Sequence, residues 1–158
     1  MKKGSGICDV VYTPKPLAQQ IVSHFNPLGR VLDPCRGEGA FDNERITDWC
    51  EISNGKDFFD WKESVDWVIG NPPWSIYQKF NEHALDISKN VVWIYHIAGL
   101  MTKRRIKDAT DRGFHLRELI LHDTPLPPWP QSGFQVATAW WSKEAGEMKL
   151  TDWRKNVR

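Results

Sequence analysis

Four consecutive residues, Asn71-Pro72-Pro73-Trp74, have types and spacing that could do chemistry. They directly follow an apolar run, 65–69, which is typical of a buried strand, and α/β proteins place their ligands at the carboxyl ends of such strands. The side-chain oxygen of Asn71 and the backbone carbonyl of Pro72 can each accept a hydrogen bond from an amino group, and the prolines keep these acceptors stiff. Such acceptors stabilise the positive charge that develops on an attacking nitrogen. The segment therefore predicts a catalytic site that activates a weakly nucleophilic amine without a general base or a metal.

Trp74 adds a flat apolar face to this catalytic segment. A ring of this kind can stack on a nucleic-acid base that has rotated out of its helix, and it replaces the stacking that the base has lost. The chain contains nine tryptophans in 158 residues, which is more than an ordinary core of this size requires. We therefore expect some of these rings to face a flat ligand.

A second segment upstream, Asp33-Pro34-Cys35-Arg36-Gly37-Glu38-Gly39, contains two closely spaced glycines after a short apolar stretch. A strand that enters a glycine turn is the usual opening of an α/β nucleotide-binding unit, because the backbone of the turn can approach a cofactor closely. This glycine turn and the catalytic segment together predict a bound cofactor beside the activated amine.

The spacing of apolar residues along the chain predicts the elements that hold these segments. Helices are expected at 17–25, 76–87 and 100–111, and strands at 30–32, 48–52, 65–69, 90–97, 116–122 and 134–141. Strands that alternate with helices indicate an α/β fold, a mainly parallel sheet with helices on both faces. The proline-rich stretch 124–130 cannot be an interior strand and is predicted to be a stiff loop.

Both segments resemble motifs of the N6-adenine DNA methyltransferases. The catalytic segment matches the N/D/S-P-P-aromatic motif of that family, and residues 33–41 resemble its cofactor loop. The resemblance runs from Tyr12 to Trp141, in the gamma order of motifs. It implies a Rossmann-like fold, S-adenosylmethionine as cofactor, and methyl transfer to the N6 amino group of adenine in DNA after base flipping.

The resemblance also implies roles for individual residues. In the glycine turn and the catalytic segment, the implied cofactor contacts are Asp33, Pro34, Gly37, Gly39, Phe41 and Asn71. Tyr12 and Thr13 would contact the methionine part, Glu51 the ribose hydroxyls, and Asp57 with Phe58 the adenine of the cofactor. Glu51 and Asp57 could instead be solvated loop acids.

Two further segments are predicted to contact the substrate. Residues 129–131 resemble the late motif of the family, which implies that Trp129 packs against the target base; the alternative is that Trp129 clamps its loop onto the core. Lys103, Arg104 and Arg105 are candidate phosphate contacts, although such a cluster is most often a solvated helix face.

Two departures from the family leave other functions open. The stretch from Asp33 to Glu51 is short for a helix after the glycine turn, and no long target-recognition region follows the late motif. A related transferase could use the same motif on RNA or on a protein glutamine, whose amide nitrogen is equally delocalised. A catalytically inert module that binds cofactor or nucleic acid is the other alternative.

Length and composition set the remaining expectations. The 158 residues fit one catalytic domain, 1–158, without a separate recognition domain, and a protein partner could supply target recognition. The net charge of +1 limits nucleic-acid contacts to a local basic patch. No apolar run has membrane-spanning length and no signal peptide is evident, so we expect a cytoplasmic protein with no membrane association. The small size suggests a phage or mobile-element gene. Neither the histidines nor Cys8, Cys35 and Cys50 show metal-ligand spacing.

Overall fold

The computed structural model describes residues 11–155, so Cys8 lies outside the described residues. Seven strands form one sheet in the order β2-β1-β3-β4-β6-β5-β7. Strands β1 to β4 are parallel, β6 is antiparallel to β4 and β5, and β7 is parallel to β5. The strand bounds are Val31–Asp33 (β1), Asp48–Trp49 (β2), Val65–Gly70 (β3), Ser88–His96 (β4), His115–Leu121 (β5), Val136–Ser142 (β6) and Lys149–Asp152 (β7). The predicted mainly parallel α/β sheet is confirmed.

Among residues 11–155, four α-helices accompany the sheet: Lys15–Phe25 (α1), Tyr77–Ile87 (α2), Ile97–Leu100 (α3) and Lys103–Asp111 (α4). Helix α1 has a proline in its first turn and ends at Asn26, whose φ of 42° is left-handed. The predicted helix at 100–111 is interrupted at Thr102, whose backbone is extended. The Thr102 hydroxyl accepts a hydrogen bond from Arg105 N and so caps the start of α4. Within 11–155, none of the helices is long and apolar enough to span a membrane.

Helices cover both faces of the sheet, as predicted. Successive residues of β4 point to opposite faces, so that Val92 and Ile94 pack with α1 while Val91 and Trp93 pack with α2. Full burial of each such side chain contributes about 1.5–3 kcal/mol. These two apolar layers hold the carboxyl ends of β1, β3 and β4 in fixed positions relative to one another.

The structure differs from the sequence-based prediction at two strands. The strand predicted at 48–52 ends at Trp49, because the Glu51 side chain caps a 3₁₀ turn over Ile52–Asn54. Strand β7 was not predicted. Its residues are mostly exposed and show no buried alternation, so the hydrophobic pattern gives no signal for it.

No helix follows the glycine turn, as the short stretch between Asp33 and Glu51 led us to expect. Turns occupy this connection instead. The guanidinium of Arg36 forms an ion pair with Asp42 and lies 4.8 Å from the ring centroid of Trp49, on β2. These contacts hold the glycine turn in place without a helix behind it.

Candidate active site

Two adjoining cavities lie at the carboxyl ends of the parallel strands. The first has a volume of about 370 Å³, and the predicted residues that line it are Tyr12, Pro34, Gly37, Glu51, Asp57, Phe58, Asn71, Pro72, Pro73 and Trp74. The second, of about 380 Å³, is lined by Tyr12, Thr13, Gly39, Phe41 and Asn71 among others. The structure therefore brings together the predicted catalytic residues and every predicted cofactor residue except Asp33, which lies behind the cavity wall.

Both glycines of the turn adopt conformations that other residues rarely take. Gly37 has φ +53°, and a Cβ atom there would lie 2.8 Å from the ring of Tyr12. Gly39 has φ +79°, and a Cβ atom there would lie 2.5 Å from the Asp42 carboxylate. A side chain at either position would strain the backbone and displace a neighbour. The turn therefore presents bare backbone between the cavities.

Glu51 connects the glycine turn to the 3₁₀ turn that follows β2. Its carboxylate accepts hydrogen bonds from Gly37 N at 2.8 Å, Ser53 N at 3.2 Å and the Ser53 hydroxyl at 2.9 Å. Burial alone would raise the pKa of Glu51, but these hydrogen bonds outweigh it and lower the pKa. Glu51 is thus an ionised acceptor on the cavity wall, suited to hydroxyl groups.

Aromatic and apolar side chains form the far wall of the first cavity. The Asp57 carboxylate accepts a hydrogen bond from Phe59 N at 2.9 Å and so caps the 3₁₀ turn over Phe58–Asp60. The buried Phe58 ring stacks on Phe80 with centroids 5.0 Å apart. Ile52 is 73% exposed although it is apolar and lines the same cavity. This wall suits a flat ring.

Several residues that line the first cavity were missed from the sequence. They are Val11, Cys35, Ile52, Phe59, Ile76 and Phe80. Ile52 carries no distinct signal in the sequence, because single exposed apolar side chains are common on protein surfaces. The others come close only through the tertiary fold.

Asp33 is fully buried at the end of β1. One of its carboxyl oxygens accepts a hydrogen bond from Cys35 N at 3.1 Å, and the other, Oδ2, has no partner among the described residues. Burial raises the pKa of this carboxyl to about 7, and the negative charges of Asp42 and Glu51 add to the effect. Asp33 thus supports the glycine turn from below.

The side chain of Asn71 is held at both ends. Its Nδ2 donates a hydrogen bond to the carbonyl oxygen of Val11 at 2.8 Å, and its Oδ1 accepts a longer one from Trp74 Nε1 at 3.4 Å. The thiol of Cys35 donates to the backbone carbonyl of Asn71 at 3.1 Å. Because an amide nitrogen only donates, the Val11 carbonyl fixes which end of the carboxamide is the acceptor. The remaining lone pair of Oδ1 is available to an amino group.

Trp74 lies in a cluster of aromatic rings beside the first cavity. Its ring packs edge to face against Tyr95, with centroids 5.2 Å apart, and against Trp129, with centroids 5.6 Å apart. The ring centroids of His96 and Trp74 are 6.1 Å apart, and Nδ1 of His96 accepts a hydrogen bond from Gly99 N. Burial, with a smaller contribution from Arg105, lowers the pKa of His96, which keeps the imidazole neutral at neutral pH.

Trp129 is 2% exposed, and its Nε1 donates a hydrogen bond to the carbonyl oxygen of Tyr12 at 2.9 Å. The indole therefore clamps the proline-rich loop onto the segment before α1. This matches the alternative in which Trp129 holds its loop onto the core. A contact between its ring and a target base stays a prediction.

The three candidate phosphate contacts lie on α4, outside the residues that line the two cavities. Lys103 is exposed. Arg104 forms ion pairs with Glu82 at 3.0 Å and Asp108 at 3.8 Å. Arg105 lies 4.1 Å above the Tyr77 ring and donates to the carbonyl of Gly99. Their role toward phosphate also stays a prediction.

The second cavity has the groups that an amino-acid end of a cofactor needs. Thr13 is 6% exposed, and its hydroxyl has no hydrogen-bond partner among the described residues. Lys15, in the first turn of α1, lines the same cavity. A buried hydroxyl without a partner costs free energy, so this site favours a ligand with polar atoms. Across residues 11–155, no three metal-ligating side chains come together.

The fold resembles solved methyltransferase structures. The modification subunit of the type I restriction enzyme EcoKI aligns with a TM-score of 0.68 at 13% identity, covering 97% of this chain and 50% of that chain. A protein of Listeria monocytogenes described as a class I S-adenosylmethionine-dependent methyltransferase aligns with a TM-score of 0.66 at 13% identity, covering 94% and 68%. A Pyrococcus horikoshii protein described as an RNA methyltransferase aligns with a TM-score of 0.59 at 16% identity, covering 81% and 82%.

No family model and no curated protein matches the sequence. The chain spans about half the length of the restriction-enzyme modification subunits that it matches. At these identities the likeness establishes the fold. The chain has the Rossmann-like fold of S-adenosylmethionine-dependent methyltransferases.

Proposed function

We propose that this protein transfers the methyl group of S-adenosylmethionine to the N6 amino group of adenine in DNA. The observation that carries the proposal is the orientation of Asn71: its Nδ2 is held by the Val11 carbonyl at 2.8 Å, which leaves Oδ1 as an acceptor where the two cavities meet. The likeness to the EcoKI modification subunit supports the choice of DNA.

The residues present fit the proposed cofactor. The ionised Glu51 would hold the ribose hydroxyls, and Ile52, Asp57 and Phe58 would hold the adenine ring in the first cavity. The buried Thr13 hydroxyl, with Lys15, would hold the methionine part in the second cavity. When bound, this cofactor supplies an electrophilic methyl group on a positively charged sulfur.

The chain's own residues would activate the acceptor amine. The lone pair of an adenine N6 amino group is delocalised into the ring, and it becomes available when the amino protons are held out of the ring plane. Oδ1 of Asn71 and the carbonyl of Pro72 would each accept a hydrogen bond from the amino group, which stabilises the positive charge that develops on the nitrogen as the nitrogen–carbon bond forms and the sulfur–carbon bond breaks. The released proton passes to solvent. Trp74 would stack on the flipped base.

RNA is a second candidate acceptor. The match to the Pyrococcus horikoshii protein covers more than four fifths of both chains, whereas the matches to the restriction-enzyme subunits cover about half of those chains. We propose that a partner protein supplies sequence recognition in the DNA case; the likeness to a solved structure that describes complex assembly of a type I restriction-modification system supports this.

The test is to incubate the purified protein with S-adenosylmethionine labelled on its methyl group and with DNA, RNA and protein, then to digest each polymer and identify the labelled product by mass spectrometry. We expect label in N6-methyladenine from DNA. Label in RNA or in glutamine would move the function to the alternative acceptors. Tight cofactor binding with no label in any polymer would indicate the inert module.

A further inference from the structure

Trp129, Tyr12, Val11, Asn71 and Trp74 form a closed circuit of contacts around the catalytic asparagine. Trp129 Nε1 donates to the Tyr12 carbonyl at 2.9 Å, and the neighbouring Val11 carbonyl accepts from Asn71 Nδ2 at 2.8 Å. Asn71 Oδ1 accepts from Trp74 Nε1 at 3.4 Å, and the Trp74 ring packs on Trp129 with centroids 5.6 Å apart. The circuit joins three segments that are far apart in the sequence.

Trp129 is buried, and its burial limits how its side chain can act on the active site. At 2% exposure its ring offers little surface to a base, whereas its N–H donates a hydrogen bond to the backbone of the segment before α1. That segment carries the Val11 carbonyl, which accepts from the Asn71 nitrogen and so leaves the Asn71 oxygen as the end with a lone pair still available to a target amine.

We propose that Trp129 is a positioning residue for methyl transfer, acting through the Tyr12 and Val11 backbone to hold the Asn71 carboxamide in its acceptor orientation. This inference rests on the proposed function, in which Asn71 Oδ1 accepts a hydrogen bond from the target amine. The indole N–H carries the effect, and the target base stacks on Trp74 instead.

The variant Trp129→Phe separates the two roles, because it keeps a buried aromatic ring, although a smaller one, and removes the N–H; the control below loses the same ring volume elsewhere in the fold. Trp140→Phe is the matched control. It removes an indole hydrogen bond of 3.1 Å to Asn90 Oδ1, near the amino ends of the parallel strands and away from both cavities. Both variants are compared per folded molecule, with the folded fraction measured by circular dichroism.

We expect Trp129→Phe to lower kcat by about 10- to 100-fold, since misplacement of a catalytic group by about 1 Å has effects of this size. KM for the nucleic acid should stay within about twofold, and Trp140→Phe should leave kcat within about twofold. An unchanged kcat in Trp129→Phe, or a rise in the nucleic-acid KM as its main effect, would overturn the proposal in favour of base stacking.

A double-mutant cycle with Asn71→Ala provides the second readout. If Trp129 acts through Asn71, Trp129→Phe should lower kcat no further once Asn71 is alanine. Additive losses in kcat would overturn the proposal, because they would mean that Trp129 acts independently of Asn71.

A third readout does not depend on methyl transfer. The Asn71 side-chain NH₂ signal in a ¹H–¹⁵N spectrum, assigned by its absence in Asn71→Ala, should exchange with water at least about tenfold faster in Trp129→Phe than in the wild type or in Trp140→Phe. Unchanged exchange would overturn the positioning role. If the wild-type protein methylates no polymer, the proposed function fails, and this measurement still tests the circuit by itself.

Discussion

Replacing Asp33 by asparagine removes a charge that the fold accommodates poorly. The carboxyl is fully buried, one of its oxygens has no hydrogen-bond partner among residues 11–155, and burial raises its pKa to about 7. Asparagine has nearly the same shape and its Oδ1 can still accept the hydrogen bond from Cys35 N. The variant therefore changes the charge with little change in packing.

The size and sign of the effect follow from the two pKa values. An aspartate in the unfolded chain has a pKa of about 3.9, so a folded pKa of about 7 is higher by about three pH units, or about 4 kcal/mol. Folding takes up a proton between about pH 4 and pH 7. The contribution of this group to stability is therefore fully present below the unfolded pKa and is lost as the pH rises through the folded pKa.

The free energy of unfolding of Asp33→Asn relative to wild type should therefore rise by about 3 kcal/mol between pH 5 and pH 8. Any fixed cost of the new amide nitrogen, which takes the place of the unpartnered oxygen, is about 1–3 kcal/mol at both pH values and cancels in this comparison. Urea unfolding of both proteins at pH 5, 6, 7 and 8, without ligand, measures how the difference in their free energies of unfolding changes with pH. A difference between the two proteins that does not change with pH would refute the argument.

Three further variants test the cavity walls. Thr13→Val replaces a hydroxyl without a protein partner by a methyl group, so it should weaken S-adenosylmethionine binding by about fivefold in calorimetry without lowering the melting temperature; equal binding would exclude Thr13 as a contact. Glu51→Gln removes the charge that accepts three hydrogen bonds and should weaken cofactor binding by about tenfold, and tighter binding would contradict the acceptor role. Gly37→Ala should lower the free energy of unfolding by about 1–3 kcal/mol in urea, because φ is +53° and the new Cβ would meet the Tyr12 ring. The control Gly55→Ala, with φ +73° and open space around the new Cβ, should lower the free energy of unfolding by less.

The sequence predicted the parts of the site that are local. The glycine turn and the catalytic segment each follow a strand, and a mainly parallel sheet brings the carboxyl ends of its strands together, so their proximity followed from the pattern. The predicted end of β2 was wrong. The sequence pattern extended the strand to Ile52, but the Glu51 side chain caps a 3₁₀ turn that begins there. Strand β7 was missed because an exposed edge strand carries no hydrophobic period.

The long-range contacts could not be predicted in this way. The hydrogen bond from Asn71 to Val11 joins residues 60 positions apart, and the one from Trp129 to Tyr12 joins residues 117 positions apart. Periodicity and propensity describe only neighbours along the chain. The burial of Trp129, the orientation of the Asn71 carboxamide and the missing partner of Asp33 Oδ2 all depend on the packed structure.

The most direct test of the account compares wild type with Asn71→Ala in methyl transfer to DNA, with cofactor affinity measured on the same samples. We expect N6-methyladenine from the wild type, a loss of at least about 100-fold in kcat for Asn71→Ala, and cofactor dissociation constants within about threefold, because Oδ1 acts mainly on the attacking amine. Transfer by Asn71→Ala at the wild-type rate would contradict the account.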